Sequence, residues 1–308
     1  MGHSGMIESG THTPGVSAAD FGLPPDTALR VERPDPRLAD YITNYHVLDS
    51  EGPSVAGAVE YMLPGWAAIR IVLADNPIVL TLGETTYDPL PAASLYGTTT
   101  RAMRLVTNGG VTVGAGISPL GWSRLFSEPA ERFRDRIVPL KTAMDPALVR
   151  DLTARLRASD QGPAVKAILD RFFIDHMGPP SRHEPALRAL MALIDNDETE
   201  DLASAAQRIG IDPTRLRRLS MRHFGFPPKT LLIRARFMRS FFKMRAARDP
   251  GDYSLIAGAY CDASHFLRDA RRFLGMTPRQ FLAMHTPYLD ATLRAHALVI
   301  RAAKAKNV

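Results

Sequence analysis

The chain has a single cysteine, Cys261, among its 308 residues. One cysteine excludes an intramolecular disulfide and any cysteine-rich zinc site. Histidine is also scarce, and His46 is the only one between residues 13 and 175. A histidine-rich metal centre in the first half is therefore not expected. No G-x-S-x-G elbow, phosphate-binding loop or dinucleotide glycine fingerprint occurs. There is no run of about 18 uncharged apolar residues, which excludes a hydrophobic membrane-spanning helix. Residues 1–25 lack the basic start and apolar stretch of a signal peptide and read as a flexible tail. These absences suggest a cytoplasmic protein with no catalytic residue, cofactor, metal or membrane partner.

What is present is ordinary in amount and uneven in placement. Hydrophobic residues make up 45% and charged residues 23%, enough for about two domains with real cores. The net charge of +6 hides a strong asymmetry. Residues 1–200 carry 18 Lys and Arg against 25 Asp and Glu, whereas residues 201–285 carry 16 against 6. Residues 286–308 add 4 against 1 and read as a basic tail. An acidic body followed by a basic third points to a polyanionic partner for that third.

Residues 29–117 read as β-rich, with short apolar runs at Ala67–Leu73, Ile78–Leu82, Met103–Thr107 and Val111–Ile117. Asn108-Gly109-Gly110 between the last two runs predicts a hairpin. Pro119–Phe126 and Pro129–Val138 read as helical. So do residues 144–195, where Ala147, Leu148, Leu152 and Leu156, and then Leu187, Leu190, Met191 and Ile194, recur at helical spacing. The loop Gly178-Pro179-Pro180-Ser181 is a candidate linker. From Asp201 a capped helix runs to Ile209. A turn at Gly210-Ile211-Asp212 follows, and a second helix begins at Pro213 and stops at Gly225. This is a helix-turn-helix unit.

The unit recurs 50 residues later. Ser204, Asp212, Arg218, Arg222, Gly225 and Pro228 match Ser254, Asp262, Arg268, Arg272, Gly275 and Pro278, six identities in 28 ungapped positions. They fall on the cap, the basic face, the stop glycine and the following proline, as a duplication requires. Each second helix would bury Leu216 and Leu219, or Phe266 and Phe273, against its own first helix. The opposite faces then carry Arg217, Arg218 and Arg222, or Arg268, Arg271 and Arg272. Such a helix fits the DNA major groove, where arginine can grip guanine O6 and N7. Lys229–Ala247 reads as one long helix with Leu231, Leu232, Ala235, Met238, Phe241 and Phe242 on its apolar side. As a rigid spacer it could hold the two reading helices ~34 Å apart, one turn of DNA.

The stretches LRRLSMRHFGFPPKTLL and DASHFLRDARRFLGMTPRQF are similar to the DNA-binding domain of the AraC/XylS family of bacterial transcription regulators. The resemblance covers residues 183–285. YMLPGWAAIRIVLA and GAGISPLGWSRLFSEPAERFRD resemble the sensor region beside that domain in one branch of the family. The resemblance implies an α+β protein: a cupin-like β-sandwich for sensing or dimerisation (26–140), a helical linker region (141–182), and an all-α domain with two helix-turn-helix units (183–285). It also implies a homodimeric activator that meets double-stranded promoter DNA, a small-molecule effector and RNA polymerase; the residues themselves leave the sign of regulation open. The chain departs from the family pattern at Ser220 and Ala270, where a large aromatic is usual. It departs again at Ser254-Leu255, where the family has Ile-Ala, and at Ala259, where it has glycine.

The DNA-contact candidates divide by position. Thr214, Arg215, Arg217 and Arg218 begin the first reading helix, and Ser264, His265 and Arg268 begin the second, so they reach toward base edges. Arg222, Arg271 and Arg272 lie further along and suit phosphates, as do Lys229 and Arg279 after their prolines. Their plainer roles are helix starts and solvated charges, and for His265 a core position. Asp212 and Asp262 read as caps. Phe241, Phe242 and Met244 read as core, and Cys261 as a small, partly buried residue. Tyr61, Trp66, Tyr96 and Trp122 could line a ligand cavity, but sandwich core is the commoner use. Glu60 and Glu84 could line it too, against the commoner exposed strand position. Two other readings stay open: a cupin-like enzyme fused to a helical module, and an interaction protein with degenerate helix-turn-helix units.

Overall fold

The computed structural model describes residues 5–74, 78–196, 202–247, 252–256 and 258–305. Its first half is built from strands β1 (Thr27–Glu32), β2 (Ile42–Ser50), β3 (Ala58–Met62), β4 (Ala67–Val72), β5 (Val79–Leu82), β6 (Thr85–Tyr87), β7 (Ala93–Tyr96), β8 (Met103–Thr107), β9 (Thr112–Ile117) and β10 (Ile137–Pro139). They form two antiparallel sheets, ordered β1-β2-β9-β4-β7-β10 and β3-β8-β5-β6. Side chains alternate between the faces of a strand. In the larger sheet Tyr45, Val47, Ile69, Ile71 and Val113 therefore share one face and join the main core. His46, Leu48, Ala68 and Arg70 share the other face, opposite the smaller sheet.

Helices follow: α1 (Pro119–Leu125), α2 (Pro146–Ala158), α3 (Ala164–His176), α4 (Glu184–Asp195), α5 (Leu202–Ile209), α6 (Pro213–Phe224), α7 (Pro228–Ala247), α8 (Ala263–Leu274), α9 (Pro278–Leu282) and α10 (Pro287–Ala305). The protein is α+β, with a two-sheet first half and a helical C-terminal region. The apolar stripe of α2 is Val149, Leu152 and Leu156, while Ala147 is exposed. Helix α3 covers the larger sheet. There Phe173 stacks on Tyr45 at 6.1 Å between ring centroids, and the Tyr45 hydroxyl donates to Asp170 at 2.9 Å.

Several sequence expectations give way. Asn108-Gly109-Gly110 makes no hairpin, because β8 pairs with β3 and β5 whereas β9 pairs with β2 and β4. The turn instead carries the chain from one sheet to the other. Gly110, at φ +87°, donates its N–H to Ser50 O at 2.6 Å, and a Cβ there would lie 2.1 Å from that of Ala74. Residues 129–138 hold a single 3-10 turn, Ala130–Arg132, and edge strand β10 rather than a helix. Asp135 sits at φ +48° with its carboxylate held by the Thr100 amide and hydroxyl, and this left-handed residue stops a helix.

Both expected tails are packed where they are described. Gly10 N donates to Leu29 O and Val31 N to Gly10 O, so the N-terminal segment covers the free edge of β1. Ile7 and Phe21 are buried. Helix α10 replaces the basic C-terminal tail and packs Ala295 and Val299 against Phe21, Leu29 and Val31. No helix among the described residues is long and apolar enough to cross a membrane.

The helical region has two cores. Leu216, Leu219, Phe224 and Leu231 are continuous with the core of the larger sheet. Phe237, Phe241, Phe266, Phe273 and Phe281 form a separate cluster. Helix α7 spans both, and its buried stripe runs through Leu231, Arg234, Phe237, Phe241 and Met244. Phe242, expected in the core, lies about 100° round the helix from Phe241 and is 39% exposed. The two units also differ at their first helices. The first has α5, whose expected cap Asp201 lies outside the described residues. In the second, the described residues hold the 3-10 turn Tyr253–Ile256 at this place. There Ser254 bonds Asp252 through both amide and hydroxyl, a local turn that competes with a helix.

Candidate functional site

Helices α6 and α8 are framed in the same way. The Asp212 carboxylate accepts from Arg215 N at 2.8 Å, and that of Asp262 accepts from His265 N at 2.9 Å. Each satisfies an amide that the helix start leaves free. Gly225 and Gly275 close the helices at φ +85° and +79°, where a side chain would be strained. Leu216, Leu219 and Phe224 fix the inner face of α6, and Phe266, Ala270 and Phe273 that of α8. Ser220 is fully buried, and its hydroxyl donates to Phe226 O at 2.6 Å. At this position the chain uses a polar tie to the following turn in place of aromatic bulk.

Thr214, Arg215, Arg217, Arg218, Arg222 and Lys229 are all exposed. The same holds for Ser264, His265, Arg268, Arg271, Arg272 and Arg279, so His265 takes no core position. On other helices and turns some surface arginines are paired: Arg155 with Asp151 at 2.9 Å, Arg171 with Asp175 at 2.6 Å, and Arg37 with Asp35 at 2.9 Å. Among the described residues no arginine of α6, α8 or α9 has an acidic partner within ion-pair distance. His265 alone of these cation candidates has one, Asp262 at 3.5 Å. Arg222 also donates to Ser127 O at 3.2 Å, which ties the end of α6 to the two-sheet unit.

The sequence reading missed neighbours of α6. Burial holds the His183 imidazole below its ordinary range, followed by the charges of Arg182, Arg215, Arg218 and Arg222. The exposed Arg182 therefore extends the basic surface of α6 from the start of α4. Its only sequence signal is the pair Arg182-His183 just after the Gly-Pro-Pro break.

A second site lies between the sheets, a cavity of about 370 Å³. Tyr61, Trp66, Tyr96 and Glu60 line it. Trp122 does not: it is core, beside Phe126 and Phe133. Glu84 is exposed. Register places His46, Gly114 and Arg70 in one row across β2, β9 and β4. The missing side chain at Gly114 makes room, since a Cβ there would lie 2.0 Å from His46 Cε1. Arg70 Nη1 lies 2.9 Å from His46 Nε2. Burial lowers the pKa of Arg70, and its Nε has no partner. Burial, then Arg70, holds His46 well below its ordinary value and His296 at about 4, so both rings are neutral. Glu60 caps α10, accepting from Tyr288 N at 3.0 Å and Leu289 N at 3.4 Å, and burial raises its carboxyl.

The helical region grips the cavity wall. Arg234 of α7 is buried and donates to Gly65 O at 3.0 Å and Thr99 O at 2.8 Å, its guanidinium lying over the Trp66 ring. Gly65, Trp66 and Thr99 all line the cavity.

No family model and no curated protein matches the chain. Among solved structures it is similar to ToxT from Vibrio cholerae O395, with a TM-score of 0.41 at 12% identity over 83% of this chain and 97% of that one. It is similar to ToxT of Vibrio cholerae strain SCE256 with a bound unsaturated fatty acid, at TM-score 0.43 and 13% identity over 86% and 97%. The AraC-like transcriptional activator CuxR matches at TM-score 0.25 and 12% identity over 74% and 84%.

Tyr61, Trp66 and Tyr96 were readable as cavity candidates from their type alone. The Arg70–His46 pair was not, because 24 residues separate its members and only strand register joins them. His296 was hidden in a segment that reads as a tail.

Proposed function

We propose that the chain is a sequence-specific DNA-binding transcription regulator of the AraC/XylS type, with α6 and α8 as the two reading helices. The observation that carries this reading is the clustering of exposed arginines, without acidic partners among the described residues, on two equivalently capped helices. Cations left free in this way suit a phosphate backbone, and their release of counterions would make binding salt-dependent. Thr214, Arg215, Arg217, Arg218, Ser264, His265 and Arg268 are assigned to base edges. Arg222, Lys229, Arg271, Arg272 and Arg279 are assigned to phosphates. Residues 26–140 act as a cupin-like sensor, 141–182 link it to the reading region 183–285, and the cavity between the sheets holds the effector. Two copies of the chain act together, in the cytoplasm. The grip of Arg234 on the cavity wall gives the effector a direct path to α7, and so to the spacing of the reading helices.

A gel shift with the promoter fragment beside the chain's own gene, repeated at several salt concentrations, tests the reading. Specific binding exceeds nonspecific binding by about 10³ or more. Arg218→Ala relaxes preference at one base position, whereas Arg272→Ala weakens binding to all sequences and flattens the salt slope. If both variants bind like the parent, the reading is wrong.

A further inference from the structure

His183 stands where an imidazole finds it hard to hold a proton. It is the residue before α4 and follows Arg182, whose Nε lies 3.5 Å from its Nε2. Helix α6 packs against α4. Its Arg215, Arg218 and Arg222 recur at helical spacing along one stripe. The charges that act on the His183 ring are those of Arg182, Arg215, Arg218 and Arg222. Among the described residues His183 has no carboxylate partner. The neighbouring Glu184 is engaged by the Tyr41 hydroxyl at 3.4 Å and by Arg188 at 3.8 Å. Arg124 of α1 is fixed on Gly178 O at 2.7 Å and lies over the Tyr41 ring, so it brings no negative charge either.

A second imidazole lies behind the first. The ring of His223 on α6 is 6.3 Å from that of His183 between centroids. It is 7% exposed, and neither of its nitrogens has a hydrogen-bond partner. Buried beside Arg222, it is held at about 4 and is neutral near pH 7. A neutral imidazole keeps one lone-pair nitrogen. His223 thus leaves an acceptor unused beside a ring that is short of a proton. A positive charge on His183 would face four others, and this keeps the proton away. A polyanion laid across Arg182 and the α6 stripe reverses that field, because an opposite charge within about 4–6 Å favours the protonated ring. A metal cation in place of the proton would meet the same four charges. No group of three or more metal-ligating side chains occurs among the described residues.

We infer that His183 is a further contact of the nucleic-acid surface, an imidazole that takes up one proton when a phosphate backbone settles on Arg182 and the arginine stripe of α6. The contact lies at the start of α4, ahead of the two helices of the first unit. The exposed histidine of the second unit, His265, already has a carboxylate, Asp262, at 3.5 Å, so its proton depends less on DNA. The sign of the linkage follows. Unbound, His183 titrates below the ordinary 6.5, first through burial and then through the arginines. The duplex adds negative charge and raises that value. Between the two values binding tightens as pH falls, by up to about tenfold per pH unit. The inference rests on the regulator reading for its polyanion, but not for base preference, because phosphate contacts carry none.

The test follows the His183 ring of the full chain by proton–carbon NMR between about pH 5 and pH 8, its signal assigned through its own backbone. The titration is run on the free protein, then at low salt with a duplex of about 20 base pairs, once from the promoter fragment and once scrambled. The free midpoint lies below 6.5, and either duplex raises it by about one unit. His183→Gln binds both duplexes like the parent at about pH 8 and more weakly at about pH 6. Arg182→Ala weakens binding to both and lowers the salt slope by about one. A His183 midpoint that bound duplex leaves in place overturns the proposal, and so does a His183→Gln protein with the parent's pH dependence. The midpoints come from the parent protein, so a variant that folds poorly cannot mask the result. The arms also separate this contact from the regulator reading. A raised midpoint with no preference between the duplexes sinks only the sequence-specific reading. Preference for the promoter without a raised midpoint sinks only this contact, and failure to bind either duplex sinks both.

Discussion

The two helical units share a plan but are held differently. In the first, α6 ends against the two-sheet unit through Arg222, and its apolar face belongs to the core of the larger sheet. In the second, α8 packs into an aromatic cluster of its own, and its backbone touches the sheets where Ala102 N donates to Phe273 O at 2.7 Å. Position 223 is a buried histidine, and its counterpart 273 is a buried phenylalanine. The difference teaches that a duplicated motif can keep its exposed chemistry while its inner face specialises. The first unit shares the core of the larger sheet, whereas the second has a core of its own.

Four measurements would break or sharpen that contrast. The largest effect is expected from Phe266→Ala, which empties the second cluster at a cost of about 3–5 kcal/mol. Hydrogen exchange should quicken in α8 and leave α6 protected. Equal loss in both would mean that the two cores are one cooperative unit. Arg234→Ala strands the carbonyls of Gly65 and Thr99 and costs about 2–3 kcal/mol by denaturant titration. Its mark is faster exchange in α6 and the first half of α7.

Acid should separate the units next. Burial, with Arg222 and His183 adding to it, holds His223 at about 4, below the ordinary histidine value of 6.5. The unfolded chain therefore binds a proton first, so the stabilising contribution is full above 6.5 and is lost as pH falls toward 4. Exchange in α6 should rise over that window and that in α8 should not. His223→Phe, which copies the second unit, should abolish the response; an unchanged pH profile would refute it. The smallest effect is the cap: Asp212→Ala costs about 1 kcal/mol by thermal melting and frays the start of α6 alone.

What could be read from the sequence divides along the same physical line. Helices α6, α7 and α8, their aspartate caps and their glycine stops rest on contacts within a few residues, and local spacing exposes such contacts. The exposure of the arginines followed from the same periodicity. The sheet switch at Gly109-Gly110 was invisible, because a hairpin and a crossover use the same turn residues and differ only in distant partners. Phe242 was misplaced because α7 serves two cores, and a single apolar stripe cannot be fitted to it. The cluster of His46, Arg70 and His296 escaped entirely, since its members come from β2, β4 and α10 and meet only after folding.

Helix α10 has a further consequence in time. A ribosome makes the two-sheet unit first, then both helix-turn-helix units, and only afterwards the stretch that carries the cavity-lining Tyr288, Thr292 and His296. Until that stretch emerges, Glu60 has no helix start to cap, and the apolar face around Phe21, Leu29 and Val31 stays open to solvent. The nascent protein thus passes through a stage with its sheets made and its cavity unwalled. Anything that stops synthesis after residue 285 leaves α6 and α8 intact on a molecule whose cavity was never finished.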